Sequence, residues 1–492
     1  MLLADIAAPP KLADVVCPPL SDAEKKPLMV RRAVVGEWLL NLPRAVWLLL
    51  DIAIVCGGTL MGHHLFVWWT ATPDPLAEYH LWIASIVLAS SVVVAGSMFG
   101  LYDTSTLWAR SRIVARCLLT VSIAMAAAWL VMHLFMYSHL SRRAAATGVC
   151  FFLVTASSVR LLVHHAVRDV RKGLLVIGQG PLTGVIIRSV RRDSVPGYRL
   201  VGVVDSTHTG SQEHGVSDIP VVGNIKDIES LCRRYEVAEV VVADVASQDS
   251  SHLHAALTCL RLGCRVTDEA TFFESTYGEV PVSHITPKWF LAADLKGQRQ
   301  EHMVSKRVLD IAVAVFGLVL AAPILVIVSI LLRLREGGPV FYSQTRVGRC
   351  GQKFTLHKFR TMHNNAEAEG STWAQPNDPR VTQFGRFLRR SRLDELPQLW
   401  NILKGEMSVV GPRPERPEFV GPLSSLIPFY NERHLIKPGL TGWAQINFSY
   451  GSSIADARRK LQLDLYYMKH TSLELDLIIL LRTFGTFFLG SR

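Results

Sequence analysis

Hydrophobic positions along the chain fall into long uninterrupted runs and short alternating ones. Residues 52–73, 81–102 and 117–141 contain no Asp, Glu, Lys or Arg, and each reaches the ~20 residues that a helix needs to cross a bilayer. A fourth run, 144–167, is interrupted by Arg160, which a spanning helix tolerates when the side chain snorkels or faces the bundle interior. Four transmembrane helices with short loops are expected over residues 41–168. They follow an N-terminal segment, residues 1–40, that carries no typical signal peptide. The loop over 71–80 has no Lys or Arg, whereas Arg110, Arg112 and Arg116 stand in the next one. Cationic loops stay on the cytoplasmic side, so the N-terminus, the second loop and the end of the fourth helix are expected there. Arg142 and Arg143 in the third loop pull mildly the other way.

From Lys172 the pattern changes. "GLLVIG" reads as a short buried strand, "VIIRSVRR" as a helix, "YRLVGVVDS" as a strand, "DIESLCRRYEV" as a helix and "AEVVVAD" as a strand. Strands alternating with helices predict a parallel sheet, here a Rossmann-like α/β domain over 172–300. The turn Gly178-Gln179-Gly180 between first strand and first helix invites a dinucleotide reading, with Asp205 at the end of the second strand as ribose partner. The fingerprint is imperfect: Thr183 fills the third glycine's slot, and the glycine falls at Gly184.

The last long apolar run, 311–332, has basic residues on both sides: Lys306 and Arg307 before it, Arg333 and Arg335 after it. Pro323 sits near its centre. Proline lacks a donor N–H and clashes with the preceding turn, so Ala321-Ala322-Pro323 is a point of bending. Residue pattern alone leaves two readings open for 305–335: a proline-kinked spanning helix, or a helical hairpin that enters and leaves by one face.

Composition agrees with a membrane part joined to soluble domains: 49% of residues are hydrophobic, with a mean hydropathy of +0.26. The net charge of +11 would suit nucleic acid, anionic lipid or an anionic substrate. The cations crowd beside apolar runs, and no zinc-finger or RNA-binding signature accompanies them, so no nucleic-acid partner is expected. Of eight cysteines only Cys259 and Cys264 are close in sequence, and no second pair completes a metal site. Reduced thiols facing a cytoplasm are the expectation.

The segment 336–492 mixes many cations with aromatics and shaped Gly/Pro loops such as "VGRCG" and "GPRPERP". Within it stand two adjacent carboxylates, Asp394 and Glu395. Leu393, Leu396, Trp400 and Leu403 share one helical face, and Asp394, Gln398 and Asn401 another. Pro397 is best tolerated in a first turn, so a helix begins near Asp394, where backbone N–H groups favour anions. Cap and salt bridge would account for the pair alone. Beside a Pro-Arg-Pro loop and so many cations it suggests phosphoryl transfer: cations hold phosphates, one carboxylate attacks and the other helps to hold a metal.

The stretches "KRVLDIAVAVFGLVLAAPILVI", "GGPVFYSQTRVG", "FTLHKFRTM", "DPRVTQFGRFLRRSRLDELPQLWNILKGEMSVVGPRPE" and "KPGLTGWAQI" resemble the bacterial polyprenyl-phosphate phosphoglycosyl transferases of the monotopic superfamily. The four upstream helices and Rossmann-like domain are similar to the long form of that family, which starts exopolysaccharide or O-antigen units. The resemblance implies a C-terminal α-rich catalytic domain on the cytoplasmic face of the bacterial inner membrane, and a re-entrant membrane helix broken at Pro323. It implies transfer of a hexose 1-phosphate, glucose first and galactose second, from a UDP-sugar to undecaprenyl phosphate, with release of UMP. Asp394 would be the nucleophile of a covalent intermediate and Glu395 a ligand of Mg²⁺. Lys358, Arg360, Arg389 and Arg413 would hold phosphates. Besides the two substrates and the bilayer, a homodimer and later-acting glycosyltransferases are candidate partners. Two alternatives belong to other classes. A membrane-tethered nucleotide-sugar dehydratase would need a Tyr-x-x-x-Lys pair, which none of the eleven tyrosines supplies; Tyr466 comes closest, with Lys469 one position early. A non-catalytic assembly scaffold would leave the density of site motifs unexplained.

Overall fold

The computed structural model describes residues 39, 42–70, 75–103, 106–107, 110–135, 142–167, 171–178, 180, 182–192, 197–205, 221–243, 250–282, 285, 287–293, 300–363, 378–448, 451 and 453–489. It divides into two compact units, residues 1–276 and 277–492.

The first unit opens with helices α1 (Arg44–Thr70), α2 (Pro75–Met98), α3 (Arg110–Phe135) and α4 (Arg142–Val167). In α1, α3 and α4 the stretches Arg44–His64, Arg110–Val131 and Thr147–Val167 are long and apolar enough to cross a membrane; α2 contributes the shorter apolar stretch Ser85–Met98. Their shared core mixes small side chains (Ala89, Ala95, Ala124, Ala128, Ala156) with Leu88, Ile113 and Phe152. Small residues let helix backbones approach where packing, not water, drives association. Arg160 does not snorkel. It lies in the bundle interior, 1% exposed, and its two terminal nitrogens donate to the two carboxylate oxygens of Asp51 at 3.0 and 2.8 Å.

The rest of this unit is a parallel sheet of β1 (Lys172–Ile177), β2 (Tyr198–Asp205), β3 (Val221–Asn224), β4 (Val237–Val242) and β5 (Arg265–Asp268) in the order β3-β2-β1-β4-β5. Helices α5 (Thr183–Arg191), α6 (Ile228–Arg234) and α7 (Ser250–Arg261) alternate with the strands, and α8 (Glu269–Tyr277) follows β5. This is the strand order of a nucleotide-binding Rossmann sheet. The central strand β1 is apolar without alternation because Leu174, Leu175, Val176 and Ile177 are all buried, as expected of a strand covered on both faces.

The second unit is built on one long helix, α9 (Gln300–Glu336, 37 residues). Around it stand the antiparallel hairpin β6 (Phe341–Val347) and β7 (Lys353–Phe359), and the parallel pair β8 (Ser408–Val410) and β9 (Gly439–Thr441). Helices α10 (Gln383–Arg390), α11 (Gln398–Lys404), α12 (Pro417–Leu426), α13 (Ile454–His470) and α14 (Leu473–Leu489) pack with it, beside the short helices Pro287–Ala292 and Trp443–Asn447. Charged contacts lock the start of α9 into the unit. Lys306 donates to Asp476 at 2.6 Å and to the Tyr467 hydroxyl at 3.0 Å. Arg307 donates to the carbonyls of Ile402 and Leu403 in the last turn of α11, both at 2.7 Å. Asp310 accepts from Ser408 Oγ and from the Val409 N–H.

Two expectations change. The helix does not end at Pro323, so a change of direction there is a bend within one helix and not a break between two. Proline's fixed φ near −65° is itself helical; the ring removes one hydrogen bond and crowds one carbonyl without ending the helix. The boundary expected between residues 300 and 305 also moves, because the second unit starts at Tyr277. Val280, Val282 and Ile285 are buried in its core with Leu461, Leu465 and Tyr467, and the Val280 N–H donates to the Gln462 carbonyl at 3.0 Å.

Candidate active site

The Asp-Glu pair sits on a single 3-10 turn, Leu393–Glu395, between α10 and α11. Arg392, the residue that enters the turn, has φ +53°. That left-handed conformation is uncommon for a side chain with a Cβ and is found where surrounding structure enforces it. Beyond the turn, Pro397 precedes α11 and Gly405 closes it at φ +92°, in keeping with the positional roles of both residues.

A strand, a loop and a helix bring cations to the pair. Lys358 on β7 places Nζ 2.9 Å from Glu395 Oε1, and Arg413 after β8 places a terminal nitrogen 3.0 Å from the same oxygen. Arg389 on α10 donates through Nε to Thr361 Oγ1 at 2.9 Å and adds its charge to the field at Asp394. Burial pushes Asp394 up to about 6, with Lys358 pulling down, Glu395 pushing up, and Arg389 and Arg413 pulling down. For Glu395, burial also disfavours the charge, but Lys358 and Arg413 outweigh it and hold the carboxyl below its usual range. Two adjacent acids with opposed environments can take different roles.

The Pro-Arg-Pro turn, residues 412–414, is held on every side. Arg346 donates to the Pro414 carbonyl at 3.0 Å, the Gly439 N–H to Pro412 at 2.8 Å, and buried Arg433 to the Arg413 carbonyl at 3.3 Å. A Cβ on Gly411 would lie 2.5 Å from the Lys437 carbonyl, so only glycine allows this approach of two backbones. Burial first, and then the like charge of Arg413, bring Arg346 down to about 10.

Of the expected site residues, the fold therefore brings Asp394, Glu395, Lys358, Arg389 and Arg413 together. Arg360 is engaged elsewhere: its buried guanidinium donates to the Gly337 carbonyl and lies 3.9 Å from Glu336, at the end of α9. Sequence reasoning missed Arg433, Asp464 and Tyr430, which brace the Pro-Arg-Pro turn from positions distant in the chain. Among the described residues no three His, Cys, Asp or Glu side chains converge as a metal site. A Mg²⁺ ion fits here only in its usual phosphate-site form, with one or two carboxylates and the substrate's own oxygens. The Glu395 carboxylate, whose two cation contacts both fall on Oε1, would hold it through its other oxygen.

In the first unit, Gly178 has φ +81° at the end of β1, where the fingerprint requires a turn. Thr183 Oγ1 accepts from the Gly180 N–H at 2.9 Å and donates to the carboxylate of Glu269, which also accepts from the Leu182 N–H at 3.4 Å. A Cβ on Gly180 would fall 2.4 Å from Glu269 Oε2. An internal carboxylate thus already occupies the start of α5, where a dinucleotide's phosphate would sit. Asp205 ends β2 in register with Asn224; its side chain lies outside the described residues.

Comparison with known proteins gives matches over both units. The sequence family described as "Bacterial sugar transferase" matches residues 301–490, and that described as "CoA-binding domain" matches residues 97–262. A UDP-glucose:undecaprenyl-phosphate glucose-1-phosphate transferase of Klebsiella pneumoniae is 31% identical over 343 residues, 68% of this chain and 71% of the relative. The protein of the same name from Escherichia coli (strain K12) is 41% identical over 308 residues, 61% of this chain and 64% of the relative. A UDP-N-acetylgalactosamine-undecaprenyl-phosphate N-acetylgalactosaminephosphotransferase of Aeromonas hydrophila is 43% identical over 185 residues, 38% of this chain but only 44% of the relative.

Proposed function

Because this chain belongs to the bacterial sugar transferase family, we propose that it moves a hexose 1-phosphate from a UDP-sugar to undecaprenyl phosphate. The observation that carries the reading is the dyad: buried Asp394 beside Glu395, with Lys358 and Arg413 closed on Glu395 and Arg389 near. In the first step an oxygen of the Asp394 carboxylate bonds to the β-phosphorus as the bond to the UMP oxygen breaks. UMP leaves with that electron pair. In the second step the phosphate oxygen of the polyprenyl acceptor bonds to the same phosphorus, and the Asp394 carboxylate departs unchanged. Lys358, Arg389 and Arg413 offset the repulsion between two anions and stabilise charge on the transferring phosphoryl group. Mg²⁺, when bound, would neutralise diphosphate oxygens.

Glucose is the first sugar proposed and galactose the second. One relative above carries UDP-N-acetylgalactosamine in its name, so that donor belongs in the same assay. We place the catalytic unit at the cytoplasmic face of a bacterial inner membrane, with α9 entering and leaving by that face. Support comes from its two halves: Ala314 belongs to the same core cluster as Leu356, and Val328 to the same cluster as Phe359, three positions further along β7.

The test uses purified wild-type protein and radiolabelled UDP-glucose, UDP-galactose or UDP-N-acetylgalactosamine without lipid acceptor. Label from one donor should survive denaturation, map to Asp394 and leave as lipid product when undecaprenyl phosphate is added. Label on another residue, or none while UMP is released normally with acceptor, would replace the two-step reading with a single displacement.

A further inference from the structure

A cavity of about 440 Å³ lies in the C-terminal unit, lined by residues from the start of α9, the turn after β6, the start of β8, the approach to β9 and the end of α13. None of Asp394, Glu395, Lys358, Arg389 or Arg413 lines it. Its walls are largely apolar: Met303, Val304, Val308 and Ile436 take part. Val304 and Val308 are 59% and 64% exposed, at the start of the helix that carries the most apolar stretch among the described residues.

Into this apolar cavity come Arg307, Arg349 and Lys437. Arg307 and Lys437 are close neighbours: a Cβ on Gly405 would lie 3.4 Å from a terminal nitrogen of Arg307 and 3.5 Å from Lys437 Nζ. Among the described residues, no carboxylate stands within ion-pair distance of Arg349 or Lys437. The nearby acid, Asp310, is occupied by Ser408 and Val409. Burial and the charges of Arg307 and Arg349 lower Lys437's affinity for its proton, against the pull of Asp310. Like charges gathered on an apolar surface gain when an anion arrives, and an anion that brings its own hydrocarbon also covers the exposed valines.

We propose that this cavity is a binding site for an anionic phospholipid, separate from the phosphoryl-transfer site, with the headgroup phosphate between Arg349, Lys437 and Arg307 and an acyl chain along Val304 and Val308. Such a lipid would fix the depth of α9 at the interface by a specific contact, in addition to general attraction of cations to an anionic surface.

The full-length protein is placed in phosphatidylcholine nanodiscs doped with phosphatidylglycerol that carries a diazirine in one acyl chain. Photolabelling should map to residues 303–308 or to Ile436. It should fall at least tenfold in Arg349→Gln/Lys437→Gln and persist in Arg349→Lys/Lys437→Arg. Phosphatidylglycerol should raise the thermal midpoint of the wild type and leave that of the glutamine variant unmoved, which separates lost binding from lost folding. Equal labelling by a phosphatidylcholine probe, unchanged labelling in the glutamine variant, or displacement by millimolar inorganic phosphate would overturn the proposal. Loss of labelling in Asp394→Asn would also overturn it, because the lipid would then belong to the transfer site. The readout needs no turnover, so its failure leaves the transferase reading standing.

Discussion

The guanidinium of Arg433 stands 2.7 Å from the carboxylate of Asp464, both side chains all but sealed from solvent. The same guanidinium donates to the Tyr430 hydroxyl at 2.8 Å and to the carbonyl of Arg413 at 3.3 Å. Burial opposes its charge, but Tyr430, Asp464 and Glu415 more than compensate and keep it protonated. The pair is a brace for the turn that carries Arg413. Arg433→Met strands a buried carboxylate, which costs about 3–5 kcal/mol, whereas replacing both partners by apolar residues costs far less. The expected pattern in thermal or urea unfolding is a strongly destabilised Arg433→Met and a partly restored Arg433→Met/Asp464→Leu. The restored double variant should still show a raised KM for the UDP-sugar, since Arg413 has lost its support. A double variant with wild-type KM would reduce the pair to a purely structural role.

Asp394 has a pH signature. Its pKa is raised to about 6 by burial, with Glu395 adding to the rise, and attack requires the anion. Turnover should fall with a one-proton slope as pH drops below about 6. The stability effect has the opposite sense. A carboxyl whose folded pKa is raised lends stability in its protonated form, present below the ordinary value near 4 and lost as pH rises through about 6. Asp394→Asn should therefore be inactive yet more stable than wild type at pH 8, with the gap closing between pH 6 and pH 4. A flat difference in melting temperature across that range would show that Asp394 titrates normally.

Glu395 behaves the other way. Lys358 and Arg413 overcome the effect of burial and depress its pKa, so its contribution is present above the ordinary glutamate value and lost only in strong acid. Glu395→Gln leaves two cations facing a neutral amide. We expect lower stability at pH 7, and a Mg²⁺ requirement for UMP release shifted upward at least tenfold. Chelation of the wild type should abolish release, and added Mg²⁺ should restore it. An unchanged Mg²⁺ titration in Glu395→Gln would remove that residue as a ligand.

Much of this was legible along the chain because it is local. Apolar runs gave the long apolar helices, the alternation of strands with helices gave the parallel sheet, and the adjacent Asp394 and Glu395 stood out among cations. What was not legible is contact between distant positions. Arg160 advertised itself inside an apolar run, but its partner Asp51 is 109 residues away and borders a different run. Arg360 read as one more phosphate ligand, yet the fold commits it to Gly337 at the end of α9. Thr183 read as a flaw in a glycine fingerprint; its role became clear only once Glu269, which follows edge strand β5, was seen hydrogen-bonded to it.

The unit boundary has a practical consequence. Val280, Val282 and Ile285 fill the core of the C-terminal unit, Trp443 Nε1 donates to the Gly278 carbonyl at 2.9 Å, and Arg459 pairs with Glu279 at 3.0 Å. A chain beginning at Gln300 discards all of these. Each buried aliphatic side chain contributes roughly 1.5–3 kcal/mol, so that chain should unfold at markedly lower temperature in detergent than one beginning at Tyr277. If the first unit serves assembly or regulation, the chain from Tyr277 should release UMP from the donor with undecaprenyl phosphate. A well-folded but inert chain from Tyr277 would assign the first unit a part in catalysis.

Helix α9 presents the sharpest topological question, because Lys306 and Arg335 are 29 positions apart and a straight helix would separate them by about 44 Å, more than the ~30 Å hydrocarbon core. A spanning helix would leave one cationic end on the outer face. The contacts argue otherwise. Lys306 reaches Asp476 and Tyr467, and Leu332 lies in one buried cluster with Phe359 and Leu388. Tyr467 shares its core with Leu356, and Leu356 and Phe359 lie on one strand about 10 Å apart by strand rise. One water-facing unit cannot meet both ends if a bilayer lies between them. Single cysteines at positions 306 and 335, in a protein whose eight native cysteines are replaced, should both resist an impermeant maleimide in intact cells and both react once the cells are opened. Labelling of either position in intact cells would mean that α9 crosses the membrane.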